Sequence, residues 1–481
     1  MIIFGQKSMK SKKINILCST VDRAGQNIKE HLLLKGEWEK AKNLPEAWEE
    51  LVGVYENKDY RIIEIDQHHI YQDRIDQKMK KYGFDTDLII VASKHKSSDG
   101  RSVLTAHFTG NVKSADFGGK PYELSVASPG IMSSILKNMQ TQARETNYEI
   151  NMESTHHGPS DIRIPMVYAE IGSGEKQWSD PDAGEIVARS ILEAEEADLP
   201  IAVGFGGGHY ASRQTKILLE EDITFGHNFP DYQLADIDKD LIEQAFLKSG
   251  ADFAYFDRKS MPSAERERIR KIIEELGYPI LREGDIKELK GLEWERFLRI
   301  RDMAEKLCSG GRFRITDRLR SQYLNSEGRV QEGNNLKDSE ISSKLIQETF
   351  SADRGSLLNT LEELPLVYIE RENGTISNHM IIPAEHVKIT MQDITNECIK
   401  ILKEHYEVKY APQENLLYIV TERFSPMMAK DMGINPGPLY GKLANMETVT
   451  VNGKTIRPDM VHERKIKEIP LTNSPNNPTR S

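Results

Sequence analysis

Residues 14–34 read INILCSTVDRAGQNIKEHLLL: an apolar run of strand length at 14–18, a short polar turn, then a charged helical stretch from Arg23 to Leu34. This unit recurs. Further apolar runs stand at 60–65, 88–92, 103–108, 166–171, 201–205 and 253–256, with helical stretches at 130–142, 182–196, 238–248 and 263–276. Short strands alternating with periodic helices predict an α/β domain with a mixed, mostly parallel sheet and flanking helices over residues 14–290.

The texture changes beyond residue 290. A charged amphipathic stretch at 292–307 precedes a basic segment, RFRITDRLR, at 312–320, and residues 326–339 are polar and loop-like. Strands are expected at 364–371, 380–383 and 416–420, with helices near 339–350 and 391–405. These predict a smaller C-terminal α+β region over 291–465. Residues 1–13 form a basic leader, and residues 466–481, rich in Asn, Pro, Ser and Thr towards their end, are expected to be a disordered tail.

Composition removes several classes. The apolar share of 38% supports an ordinary core, and 481 residues suggest two or three domains. Cys18, Cys308 and Cys398 lie far apart, which excludes a disulfide framework and a Cys-rich zinc ribbon. No apolar stretch approaches the length of a membrane span, and the first residues are too short a patch for a signal peptide, so a cytoplasmic location is expected. A net charge of −11 argues against a surface coated for nucleic acid, though not against a local basic patch.

Polar motifs follow the apolar runs. Lys94 and His95 follow the run at 88–92; His107 and Asn111 lie in LTAHFTGN at 104–111; Glu153, His156 and His157 lie in ESTHHGP at 153–159. Glu170 closes another run, and Gly206, Gly207, Gly208 and His209 follow the one at 201–205. In an open α/β sheet, ligands gather outside the carboxyl ends of strands, so these motifs are expected to converge on one cleft.

Adjacent histidines in a strand point to opposite faces. One metal therefore takes both His156 and His157 only if the backbone turns, which Gly158-Pro159 permits; a hydrogen-bonded loop cap is the alternative. Imidazole and carboxylate together suit zinc with an open position for water, although no H-E-x-x-H is present. The three glycines suggest backbone N–H groups presented to a phosphate or an oxyanion, or else a close crossing of backbone. Neither a P-loop nor a G-x-S-x-G occurs, so nucleotide binding and covalent serine chemistry are unsupported.

SKHKS at 93–97, LTAHFTGN at 104–111, ESTHHGP at 153–159, EIGS at 170–173 and GGGHY at 206–210, in this order, resemble the archaeal and plant type of D-aminoacyl-tRNA deacylase. The resemblance covers residues 14–290. It implies a fold like the phosphorylase and peptidyl-tRNA hydrolase groups, zinc dependence, and a tRNA carrying a D-amino acid as substrate. The implied reaction is hydrolysis of the ester at the tRNA 3′ end, a quality-control step that clears mischarged tRNA. Carried onto this chain, it makes Glu153, His157 and Glu170 the catalytic candidates and His107, His156 and His209 the metal candidates. Lys94, His95, Asn111, Gly206, Gly207 and Gly208 are the substrate-binding candidates. A monomer without membrane contact is expected. A peptidyl-tRNA hydrolase or amidase on the same fold, and a non-catalytic tRNA-binding protein, remain the alternatives. Residues 429–461 are similar to a segment of the tRNase Z group, without that group's H-x-H-x-D-H metal site.

Overall fold

The structure, a computed structural model, describes residues 13–321, 335–451 and 453–471. Residues 1–12 of the expected leader, residues 326–334 of the expected loop and residues 472–481 of the expected tail lie outside these. The chain divides into two compact units, Met1–Lys290 and Gly291–Ser481.

In the first unit, strands Tyr60–Ile65, Ile14–Ser19, Ile89–Lys94 and Met166–Gly172 lie side by side in parallel. Glu39–Lys40 and Leu51–Glu56 extend this sheet beyond Tyr60–Ile65 as antiparallel neighbours. On the other side, Val103–His107 enters antiparallel to Met166–Gly172, and Glu149–Met152 completes the eight strands. The sheet is mixed and mostly parallel, as predicted. Ile89, Ile90, Val91 and Ala92 are all fully buried, as befits a parallel strand covered on both faces. Thr224–Phe229, Ile201–Phe205, Phe253–Phe256 and Ile280–Leu281 form a separate parallel sheet with its own apolar core. The sequence suggests one sheet; runs of equal apolarity do not say which partner each will choose.

Helix Arg23–Leu34 is tied to the large sheet at the level of the site. Asp22 caps it by accepting from Gly25 N–H at 2.8 Å, and its other oxygen accepts from Lys94 N–H at 3.1 Å. A Cβ on Gly25 would stand 2.6 Å from the carbonyl oxygen of Ala92, so only glycine lets the helix approach this closely. The carboxyl end of Ile89–Lys94, from which His95 projects, is thereby held.

The second unit holds an antiparallel sheet in the order Arg312–Ile315, Val367–Glu370, Ile376–Pro383, Leu336–Glu340. Helices Ser343–Ala352, Arg354–Glu362 and Val387–His405 bury Leu345, Leu361, Ile394 and Leu402 in its core. A three-stranded sheet follows, Glu407–Ala411, Leu416–Phe424 and His462–Pro470. Residues 466–470 are therefore strand and not tail: they pair with Leu416–Phe424, and Ile469 enters the core. The segment 429–461 gathers Ala429, Ile434, Leu443, Val449, Ile456 and Val461 into a small apolar core. No helix among the described residues is long and apolar enough to cross a membrane.

Candidate metal and catalytic centre

Seven polar side chains from the first unit meet where the 153–159 loop leaves the large sheet. That loop is anchored to the second sheet: Ser154 N–H donates to His209 O at 2.7 Å, and Thr155 N–H donates to Asn228 O at 2.9 Å. His95 and Glu153 each follow directly on a strand, and His107 ends one. On Met166–Gly172, Tyr168 and Glu170 share a face by the two-residue period. Register places Tyr168 opposite His107. His209 arrives from the glycine loop.

These groups sort by distance. The ligand atoms of His107, His156 and His157 lie within 4.8 Å of one another, as do those of His95, Glu153 and His209, and those of His107, Glu153 and Glu170. His157 thus joins His107 and His156, while His209 joins His95 and Glu153. What makes this possible is the backbone at His157, whose φ of 42° is left-handed. The rings of His156 and His157 therefore both reach His107, with centroids 4.4 and 5.0 Å from it, instead of diverging.

The three clustered imidazoles are oriented alike. Nδ1 of His107, His156 and His157 lies 3.2, 2.8 and 2.7 Å from the carbonyl oxygens of Phe108, Ser154 and Gly158. A carbonyl only accepts, so each Nδ1 carries a proton, and in the neutral ring each Nε2 keeps its lone pair. Burial, reinforced by the charges of neighbouring histidines, pushes His156 down to about 3 and His157 well below the ordinary range. His107 differs. Burial pulls it down, but contact with Glu170 and the charges of Glu170 and Glu153 outweigh this and raise it.

Glu153 is 1% exposed, with an imidazole at each of its oxygens, and Nε2 of His107 has no hydrogen-bond partner among the described residues. Nδ1 of His95 stands 3.0 Å from one carboxylate oxygen and Nε2 of His209 2.9 Å from the other. Burial works to raise this carboxyl, yet His209, His95 and the His107 charge together hold it well below the usual range. The same neighbour Glu153, with Glu170 and Asp99, raises His95 against the opposing effect of burial. His156 and His209 expose 26% and 32% of their side chains, so solvent reaches the cluster from their side.

Other candidates stand apart. Lys94 places its ammonium over the Trp178 ring, 5.4 Å from the centroid. Asn111 spends its amide on the carbonyls of Gly118 and Lys120 at 2.8 and 3.3 Å. Two of the three glycine N–H groups are consumed internally, Gly206 by Phe229 O at 2.8 Å and Gly207 by Ser260 Oγ at 2.6 Å. These two are structural donors and not the free anion hole the sequence suggested. The left-handed backbone at both glycines, φ 90° and 80°, explains the residue type.

Residues not singled out in the sequence surround the cluster. Tyr168 stacks on His107 at 5.2 Å and meets the His157 ring edge at 5.2 Å. Behind it lies His69, with Nδ1 3.3 Å from Tyr168 Oη and Nε2 3.2 Å from Asp22 Oδ2. Tyr168 was legible, two residues before Glu170 on an alternating strand; His69 and Asp22 carried no local signal.

His227 supports the loop from below. Its Nε2–H donates to Ser125 O and its Nδ1 accepts from Thr155 Oγ1, both at 3.0 Å, and burial pushes it down to about 4. An unfolded histidine titrates near ~6.5, so between the two values the unfolded chain takes a proton the folded chain refuses. Stability therefore falls as pH drops through that window, by about 1.4 kcal/mol per unit. Urea unfolding at about pH 7.5 and about pH 5 is expected to show a loss smaller by about 2 kcal/mol in His227→Gln than in the parent. An identical loss in both would assign the pH dependence elsewhere.

The family described as D-aminoacyl-tRNA deacylase matches residues 82–281. A D-aminoacyl-tRNA deacylase of Methanococcoides burtonii is 45% identical over 96% of this chain and 97% of its own length. One from Methanosarcina mazei is 49% identical over 60% of this chain and 98% of its own length. A crystal structure described as a conserved protein of unknown function superposes with a TM-score of 0.55 at 38% identity, over 58% of this chain and 98% of that one. With a relative this similar along nearly the whole length of both chains, the conclusion is direct: the chain belongs to the D-aminoacyl-tRNA deacylase family.

Proposed function

We propose that this chain hydrolyses the ester between a D-amino acid and the 3′ end of tRNA, releasing both and so clearing mischarged tRNA. The observation that carries the proposal is Glu153: a buried carboxylate held between His95 and His209 at 3.0 and 2.9 Å, beside three imidazoles whose Nδ1 atoms face carbonyls. A buried charge is costly unless something pairs with it. Glu170 and Glu153 favour positive charge in the place that His107 occupies, and three imidazoles whose Nδ1–H groups donate to carbonyls suit a zinc ion that replaces the His107 proton. His107, His156 and His157 would hold it. Bound there, zinc supplies Lewis acidity, which polarises a carbonyl and brings the pKa of a water towards ~7.

The remaining roles fall to side chains. Glu153, ionised at neutral pH, takes the proton of the attacking water. His209, 2.9 Å away and partly exposed, passes a proton to the leaving 3′-oxygen. His95 orients Glu153 and is itself held from outside, its Nε2 2.9 Å from Tyr210 Oη. Glu170, 3.7 Å from Nε2 of His107, adds negative charge beside that ring.

The test is release of tyrosine from D-tyrosyl-tRNA beside the L-ester and a peptidyl-tRNA. Rapid release from the D-ester alone is expected. Equal rates on the two enantiomers would sink the proposal, and preference for the peptidyl substrate would move it to the hydrolase alternative.

A further inference from the structure

Among the described residues of the first unit, the large aromatic side chains that stand exposed are Tyr71, Phe117, Tyr122 and Tyr232, at 56%, 66%, 52% and 60%. Single exposed apolar residues need no explanation, but these occupy only three loops. Each of these loops adjoins the histidine cluster or is joined to one that does. Gly158, next to His157, donates its N–H to Phe117 O at 3.0 Å. A Cβ on Gly118 would stand 3.2 Å from the Tyr71 ring, so that ring lies against the Phe117-Gly118 backbone. On the opposite side, Asp231 N–H donates to Gly207 O at 2.8 Å, which sets Tyr232 beside the loop that carries His209.

We infer that Tyr71 and Phe117 on one flank and Tyr232 on the other form a stacking rim for the unpaired bases at the 3′ end of an RNA. The choice of occupant rests on the proposed deacylase reaction. An ester on the terminal ribose can reach Glu153 only if the last nucleotide lies against the cluster, to whose loops the loops that carry these rings are bonded. Unpaired bases are recognised by stacking on aromatic faces, which every base can satisfy. The cations on the same loops fit the phosphates between such bases. Lys113 pairs with Asp236 at 2.7 Å, and Lys120 and Arg74 share Asp161 at 2.8 and 2.6 Å. Lys113 and Arg74 expose more than half of their side chains, and exposed pairs of this kind are weak enough to exchange a carboxylate for a phosphate.

Fluorescence anisotropy with a labelled short RNA ending in CCA, and the same RNA with abasic final positions, tests this on the full chain. The parent is expected to bind the base-bearing RNA at least about fivefold more tightly. Phe117→Leu and Tyr232→Leu should each erase most of that preference, Phe117→Trp should keep it, and Tyr410→Leu, in the second unit, should not change it. Because the substituted rings are exposed, unfolding midpoints stay at the parent value. Equal affinity of the parent for both RNAs, or an undiminished preference in the leucine variants, overturns the rim. A base preference that tracks these residues in a protein unable to cleave D-tyrosyl-tRNA supports the rim and overturns the catalytic reading instead.

Discussion

Glu153→Gln is expected to lower kcat for D-tyrosine release from D-tyrosyl-tRNA by about a thousandfold, with tRNA affinity unchanged. The substitution keeps the shape of the side chain and removes its charge and basicity. General-base catalysis contributes roughly a hundred- to ten-thousandfold, and Glu153 is the carboxylate here that is ionised, buried and held between two imidazoles. Stability is expected to fall as well. The imidazoles that hold this carboxyl well below its usual range favour the folded state, and a neutral amide gives up that contribution, so the urea midpoint should drop. Loss of rate in protein that is still folded under the assay conditions is the signature of a group kept for chemistry. A variant with parental kcat would remove Glu153 from the mechanism, and one that loses rate only by unfolding would make it structural.

Local pattern carried much of this fold. Tyr60–Ile65, Ile201–Phe205, Phe253–Phe256 and helix Ser263–Leu276 begin and end where apolar run and period predict, because burial on one or both faces dictates residue type directly. Pairing was not legible. The antiparallel entry of Val103–His107 and the separation of Thr224–Phe229 and its neighbours into a second sheet are long-range choices among similar runs. His462–Pro470 shows the opposite failure. Residues 463–468 are all exposed, so this edge strand has neither alternation nor apolar excess and reads like a tail. At the site, residue identity was legible and grouping was not. Glu153, His156, His157 and His209 stand out after strands, but the regrouping of His157 with His107 depends on one left-handed backbone angle at a residue whose type does not demand it.

Exhaustive dialysis against a chelator is expected to abolish turnover, by at least about a thousandfold, and added zinc to restore it. Lewis acidity at the ester is worth several kcal/mol of barrier, and side chains alone do not replace that. Activity is not the only readout. His107, His156 and His157 bring three Nε2 lone pairs together while their Nδ1 protons are tied to carbonyls, and His156 resists protonation down to about 3. An ion held by such nitrogens stabilises the folded chain by mass action, about 4 kcal/mol when its concentration is about a thousand times Kd. The dialysed protein should therefore unfold at lower urea, and elemental analysis should find zinc in the parent but not in His107→Asn. That variant should also unfold at the same midpoint with or without added zinc, because it lacks the nitrogen shared by both groups around His107. Full activity in protein that elemental analysis shows to be metal-free would refute the zinc assignment. It would leave Glu153, His95 and His209 as a metal-independent acid–base set, whose 3.0 and 2.9 Å contacts do not depend on the ion.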